Sequence, residues 1–308
     1  MMFKGMHIIS MKNFSRKMID HILDTAEQLE DIARNKEQSD ILAGKILAVL
    51  FFEPSTRTRM SFETAIMRLG GNVLNLGSVD ISSIAKGESL ADTIRVVAGY
   101  SNAIVLRHPM EGAAKLASEF SSVPILNAGD GAGHHPTQTF LDLYTIRRES
   151  HLEGLKIALA GDLKYGRTVH SLCYALSHYG ADITLVSPEE LRMPQEIIND
   201  LKNRGLNVTE TDSMESAIKD VDVLYMTRVQ KERFPDDAEY QKVANRLKIT
   251  PELLESARSE MKIMHPLPRT TEIDPGVDAT PHACYFQQSF YGVPVRMALL
   301  ALVMGAME

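Results

Sequence analysis

The chain has no tryptophan and only two cysteines, Cys173 and Cys284, in 308 residues. Neither cysteine sits in a CxxC pair, which argues against a disulfide framework or a thiolate zinc site and suits a reducing compartment. A basic excess is missing too. Lys and Arg number 33 against 40 Asp and Glu, for a formal net charge of −7, so no general attraction to nucleic acid is expected. Long apolar runs are absent. The longest, Met297 to Met307, falls short of the ~20 residues that span a bilayer and reads as a buried C-terminal helix. No leader is expected from the start, where His7-Ile8-Ile9 is short and is followed by Lys12, Arg16 and Lys17. There is no low-complexity tract and no short-period repeat. The expectation is a soluble cytoplasmic protein with neither membrane nor nucleic acid as a partner.

What remains is ordinary globular composition, 44% apolar and 24% charged, in a length that accommodates two cores. Ser15 reads as an N-cap, and Met18, Ile19, Ile22, Leu23, Ala26, Leu29 and Ala33 recur at helical spacing to about Asn35. Lys45-Ile-Leu-Ala-Val-Leu-Phe-Phe52 is an apolar run of the kind buried on both faces of a sheet. Further strands are read at Ala103–Leu106, Val123–Leu126, Ile157–Ala160, Ile183–Val186, Val221–Met226 and Ile263–Met264, with helical stretches between most of them. This alternation predicts an α/β chain of two doubly wound parallel-sheet domains, residues 1–150 and 151–284, parting near Ser150–Gly154. Ligands in such sheets bind beyond the carboxyl ends of the strands, so an active site between the halves is expected.

Several segments carry chemistry at those strand ends. After Phe52, Pro54 breaks the strand and Ser55 can cap a helix bearing Met60, Ala65, Ile66 and Leu69. First-turn N–H groups, the helix dipole, the hydroxyls of Ser55, Thr56 and Thr58, and the guanidinium of Arg57 together make an anion site. The bland reading is an ordinary cap with surface arginines, but two arginines in one first turn behind a buried strand favour the anion. Arg107 closes the strand Ala103–Leu106 and is as readily a solvated loop arginine from spacing alone. His134 and His135 open a helix after the glycine-rich Gly129–Gly133. Adjacent histidines point apart and no third ligand is spaced to join them, so no metal is expected. Arg167 stands on a strand-to-helix turn whose glycines lack the G-x-G-x-x-G spacing of a dinucleotide loop. Arg228 ends the strand Val221–Met226, with Gln230 beside it. Pro266 and Pro268 impose an extended turn in which Leu267-Pro268 is a candidate cis bond.

Pro54-Ser-Thr-Arg-Thr-Arg59 resembles the carbamoyl-phosphate-binding signature of the aspartate and ornithine carbamoyltransferases, and the resemblance runs in order from His7–Ser10 to the final helix. It implies that residues 1–150 bind carbamoyl phosphate, that helix 285–308 packs back on them, and that 151–284 bind the amino acid. Ser55, Thr56, Arg57 and Thr58 would then hold the phosphate, and Arg107 both the phosphate and the carbonyl oxygen. His135 would donate to that oxygen and Gln138 would hold the carbamoyl nitrogen. The backbone at Pro266, Leu267 and Pro268 would take the carbamoyl and amino nitrogens. Ser82 and Lys86, in a segment resembling the family's mobile loop, would reach the site of a neighbouring subunit in a homotrimer. Ala85 stands where some relatives carry a second lysine. Lys86, Arg167, Arg228 and Gln230 would grip the amino acid, and Thr58, Lys86, Arg107 and His135 would form the catalytic set. No cofactor and no metal is implied.

The acceptor separates the two branches of the family. Ornithine-using relatives resemble one another in an HCLP block and an SMG loop. Here the block is His265-Pro-Leu-Pro268, and Arg228-Val-Gln230 stands where SMG would lie. Arginines suit a dicarboxylate and repel a diamine, so L-aspartate is the expected acceptor and N-carbamoyl-L-aspartate, a pyrimidine precursor, the product. Ornithine or another amino acid is the alternative. A catalytically dead scaffold paralogue is a second one, though it would tend to lose Arg57, Lys86 or Arg228, and all three are present. The block Lys164–His170 looks like that of chains assembling with zinc-containing regulatory chains, and equally like that of relatives lacking them.

Overall fold

The computed structural model describes residues 2–76, 87–131, 133–229, 240 and 246–308. The chain forms two compact units, Met1–Tyr144 with Phe290–Glu308, and Thr145–Ser289.

In the first unit, helix α1 (Arg16–Arg34) begins where Ser15 Oγ accepts the Met18 N–H and ends at Asn35, as the periodicity predicts. Strand β1 (Ile46–Phe51) leads to α2 (Thr56–Arg68) and β2 (Asn72–Asn75). Next come α3 (Leu90–Ala98), β3 (Ala103–His108), α4 (Ala113–Phe120), β4 (Ile125–Asp130) and α5 (Pro136–Glu149). The four strands are parallel in the order β2-β1-β3-β4. Apolar residues of β1, β3 and β4 are buried with Ile94, Ala98, Ala114 and Ala117 from the covering helices.

The second unit holds β5 (Lys156–Ala160), α6 (Arg167–Leu176), β6 (Asp182–Val186), α7 (Gln195–Asn203), β7 (Val208–Thr211), α8 (Met214–Ala217), β8 (Val223–Met226), α9 (Pro251–Leu254) and β9 (Lys262–Met264). Its sheet is again parallel, ordered β7-β6-β5-β8-β9. The last helix, α10 (Tyr285–Val303), starts in this unit and finishes in the first. No helix among the described residues is long and apolar enough to cross a membrane.

The structure departs from the sequence expectations at several edges. The division between units falls inside α5, between Tyr144 and Thr145, rather than near Ser150–Gly154. Tyr144 is fully buried in the first unit, its hydroxyl donating to Glu30 of α1 and its ring edge-on to Tyr291. Residues Tyr285–Ser289 belong to the second unit because the His265 N–H donates to Gln288 Oε1 and Tyr285 packs into that unit's core. Strand β4 starts two residues late, since Pro124 offers only its carbonyl to Ile104 N–H, and continues through Gly129 to Asp130. Strand β8 starts at Val223, because the Asp222 carboxylate is turned to the Lys156 N–H and to Arg258.

Both sheets have a switch in strand order. In the first, the chain moves from β1 outward to β2, then returns to β3 on the other side. The second does the same at β5 and β8. A crevice opens where neighbouring strands lead their connections to opposite sides, and ligands of open α/β sheets lodge there.

Candidate active site

At the first switch, β1 delivers Ser55–Thr58 and β3 delivers Arg107 opposite Phe51. Ser55 is the N-cap of α2, yet its side chain makes no capping hydrogen bond, against the sequence expectation. Its ψ of 86° differs from the extended backbone of Ser15 and Ser89, which do cap. The first-turn N–H groups therefore receive nothing from their own cap residue, which favours an external anion there. The two arginines of the motif part company. Arg59 Nε donates to Glu63 Oε1 at 2.8 Å along its own helix. Arg57 is exposed and has no carboxylate partner among the described residues, and the water it loses to neighbouring protein lowers its pKa from the ordinary arginine value. Thr58 is buried beside them.

Arg107 is held from two sides. Its Nη2 lies 2.6 Å from Glu53 Oε1, its Nη1 donates to the Ala128 carbonyl of β4 at 3.0 Å, and its Nε is buried without a partner. The side chain is only 14% exposed, so the guanidinium is aimed and not solvated. Glu53 is a residue that sequence reading passes over. The only signal for it is an acid at the end of a buried strand, one residue before Pro54.

His135 and Gln138 come from the start of α5, and the loop before it is fastened by one carboxylate. Asp130 accepts the Asn127 side-chain amide and the His134 N–H at Oδ1, and the Gly112 N–H at Oδ2. Gly131, at φ 52°, lies where a Cβ would collide with the Pro109 carbonyl. His135 is buried, with Nδ1 3.4 Å from Thr137 Oγ1. His134 is half-buried and burial lowers its pKa. Among the described residues no group of His, Cys, Asp and Glu could hold a metal ion.

At the second switch, β5 leads to Arg167, the first residue of α6, and β8 leads to Arg228; both side chains are half-buried. Gly161 is needed between them, since a Cβ there would run into Thr227. Asp162, buried, accepts the Tyr165 N–H at 3.0 Å and fixes the turn before Arg167.

The end of β9 supplies His265–Pro268, with Leu267 at φ 54° and a cis Leu267-Pro268 bond. His265 Nδ1 accepts the Leu267 N–H at 2.8 Å and its Nε2 faces Glu272 Oε1 at 2.8 Å. The other Glu272 oxygen accepts the N–H groups of Thr270 and Thr271 and the Thr270 hydroxyl. Burial alone would raise the Glu272 carboxyl, but hydrogen bonds from His265 and from backbone N–H groups outweigh it and hold the pKa at about 2. With the Leu267 N–H committed inward, what the turn offers to a ligand is carbonyl oxygen.

A family model described as aspartate/ornithine carbamoyltransferase, carbamoyl-P binding domain, matches residues 6–148, and one described as the Asp/Orn binding domain of the same family matches 153–303. The chain belongs to the aspartate/ornithine carbamoyltransferase family. It is 79% identical, over the full length of both, to the aspartate carbamoyltransferase catalytic subunit of Methanococcoides burtonii. Among solved structures it resembles the catalytic subunit of M. jannaschii aspartate transcarbamoylase, with 56% identity, a TM-score of 0.93, and coverage of 97% of this chain and 98% of that one. It also resembles the Trypanosoma cruzi aspartate transcarbamoylase in complex with carbamoyl phosphate and aspartate, with 42% identity, a TM-score of 0.92 and 98% of each chain covered.

In this carbamoyltransferase, the first switch gathers Ser55, Thr56, Arg57, Thr58 and Arg107, and the second gathers Arg167 and Arg228. His135 and Gln138 follow β4, and Pro266–Pro268 follow β9. Ser82, Lys86 and Gln230 lie outside the described residues. Glu53, Asp130, Asp162 and Glu272 are the supporting acids that the motifs did not announce.

Proposed function

We infer that the chain transfers the carbamoyl group of carbamoyl phosphate to the α-amino group of L-aspartate, giving N-carbamoyl-L-aspartate and phosphate. The observation that carries this is the pair of switch points, each armed with arginines that suit its ligand. One has a helix N-terminus with an uncommitted Arg57 for a phosphate, and the other has Arg167 at a helix start and Arg228 just past a strand end for a dicarboxylate. The aspartate nitrogen attacks the carbonyl carbon, and the C–O bond to phosphate breaks. Thr58, Arg107 and His135 stabilise the tetrahedral oxyanion. Ser55, Thr56, Arg57 and Lys86 neutralise the departing phosphate, which takes up the proton released by the amine. Gln138 and the carbonyls of Pro266 and Leu267 hold the carbamoyl and amino nitrogens, and Arg167, Arg228, Gln230 and Lys86 hold the aspartate. Catalysis by orientation and charge needs no nucleophilic side chain.

The same reading makes the enzyme a cytoplasmic homotrimer, with Ser82 and Lys86 completing a neighbour's site. Apolar side chains left exposed on the first unit support it: Met60 and Met67 of α2, Leu74 of the edge strand β2, Val96 of α3, and Tyr100 at 63%. Zinc-containing regulatory chains would dock at the exposed Lys164 and Tyr165.

The assignment of the arginines is tested by titrating succinate, a non-reacting dicarboxylate, into enzyme saturated with a carbamoyl phosphate analogue. Losing one charge-assisted contact of about 1.5–3 kcal/mol should weaken succinate roughly 10- to 150-fold in Arg167→Ala and in Arg228→Ala. If both variants bind succinate as the wild type does, these arginines do not hold the acceptor.

A further inference from the structure

Gln138 lies in the first turn of α5, and its Nε2 donates to Asp142 Oδ1, one turn on, at 2.9 Å. Both residues are buried, Asp142 completely. An ionised carboxylate only accepts hydrogen bonds, so this contact leaves the amide a single orientation. The NH2 group faces Asp142, and Oε1 is the atom left for a ligand. Arg296 of α10, the only buried arginine among the described residues, is close enough for its positive charge to be felt by Asp142. Burial pushes the Arg296 pKa down to about 10, with Asp142 opposing the fall, so the guanidinium stays cationic at neutral pH. It lies 5.0 Å from the ring centroid of Phe62 on α2, the helix that carries the Ser55–Arg59 motif, and its Nε has no hydrogen-bond partner. Glycine at 292 makes room for it, since a Cβ there would collide with Nη1.

We propose that Asp142, which accepts the Gln138 amide N–H, is a positioning residue that fixes the polarity of that amide and so makes the donor subsite select an acyl phosphate carrying N–H donors over one carrying a methyl group. The proposal rests on the reading of Gln138 as the acceptor for the carbamoyl nitrogen. A site built to bond a polar group rejects the analogue that lacks it, because its own acceptor is then buried unpaired. Asp142→Asn puts an amide where the carboxylate was. That amide donates as well as accepts, so the Gln138 side chain is free to turn and present its NH2 group instead.

The probe is acetyl phosphate, which has a methyl group in place of the carbamoyl NH2. Its inhibition constant against carbamoyl phosphate, divided by the KM for carbamoyl phosphate, measures discrimination. In Asp142→Asn this ratio should fall about tenfold, the worth of one hydrogen bond, with most of the change in carbamoyl phosphate. Parallel weakening of both ligands at an unchanged ratio is what a merely structural role gives, and it overturns the proposal. Gln138→Leu separates the two levels. If it keeps the wild-type ratio, the reading of Gln138 itself fails. If it loses discrimination while Asp142→Asn keeps it, only the role of Asp142 fails. Should Asp142→Asn not fold, Gly292→Ala carries the test: it crowds the guanidinium, leaves the carboxylate in place, and should lower the same ratio a few-fold, whereas an unchanged ratio overturns the proposal.

Discussion

His135→Ala should lose turnover by about 100- to 1000-fold, the range for removing one donor to a developing oxyanion. The side chain is buried at the start of α5, in a loop that Asp130 pins with three hydrogen bonds. It is therefore held before the substrate arrives, and a preorganised donor costs no reorganisation in the transition state. The carbonyl of residue 135 accepts the Gln138 N–H at 3.0 Å through the backbone, so the helix start survives truncation to alanine. Affinity for carbamoyl phosphate should change far less than kcat, because the hydrogen bond strengthens only as the oxygen becomes charged. Steady-state kinetics with both substrates separate the two effects. Near-normal turnover in the variant would remove His135 from the mechanism.

Mixing two inactive proteins should restore activity. Arg57→Ala and Lys86→Gln chains are each expected to be nearly inactive, and in a shared-site trimer they fail at opposite halves of the same site. After dissociation and reassociation at equal concentration, about three quarters of the trimers contain both chains. Each mixed ring has one junction of its three at which both contributions are intact. Recovered activity should then be about a quarter of the wild-type value, if assembly is random and sites act independently. A site held within one chain recovers nothing. Zero recovery, with hybrid trimers demonstrated by mass, would rule out the shared site.

How far the fold can be read from sequence depends on burial. Runs such as Ile46–Phe51 and Ile157–Ala160 are covered on both faces and contain little but apolar residues, so each identifies itself as a strand. Strands β2 and β7 have no such signature. They are edge strands with largely exposed sequences, Asn72–Asn75 and Val208–Thr211, and their pairing is decided by neighbours that periodicity does not see. The site divides along similar lines. Arg57 stands out because two arginines share one helical turn behind a buried strand, whereas Arg107, Arg167 and Arg228 are legible only through the family resemblance of their segments, since spacing alone leaves each as readily a solvated arginine. Glu53 and Glu272 are not legible, because their roles come from partners distant in sequence or folded back across a turn: Arg107 for the first, His265 and two backbone N–H groups for the second. The missing cap bond at Ser55 is a matter of backbone angle, which no residue type dictates.

The central claim is the transfer itself, and product analysis tests it most directly. The purified chain is given carbamoyl phosphate with equal amounts of aspartate and ornithine, and both products and phosphate are followed with time. The expected result is N-carbamoyl-L-aspartate accumulating one-for-one with phosphate while ornithine is untouched. Carbamoylated ornithine in its place, or phosphate released no faster than from carbamoyl phosphate alone, would contradict it.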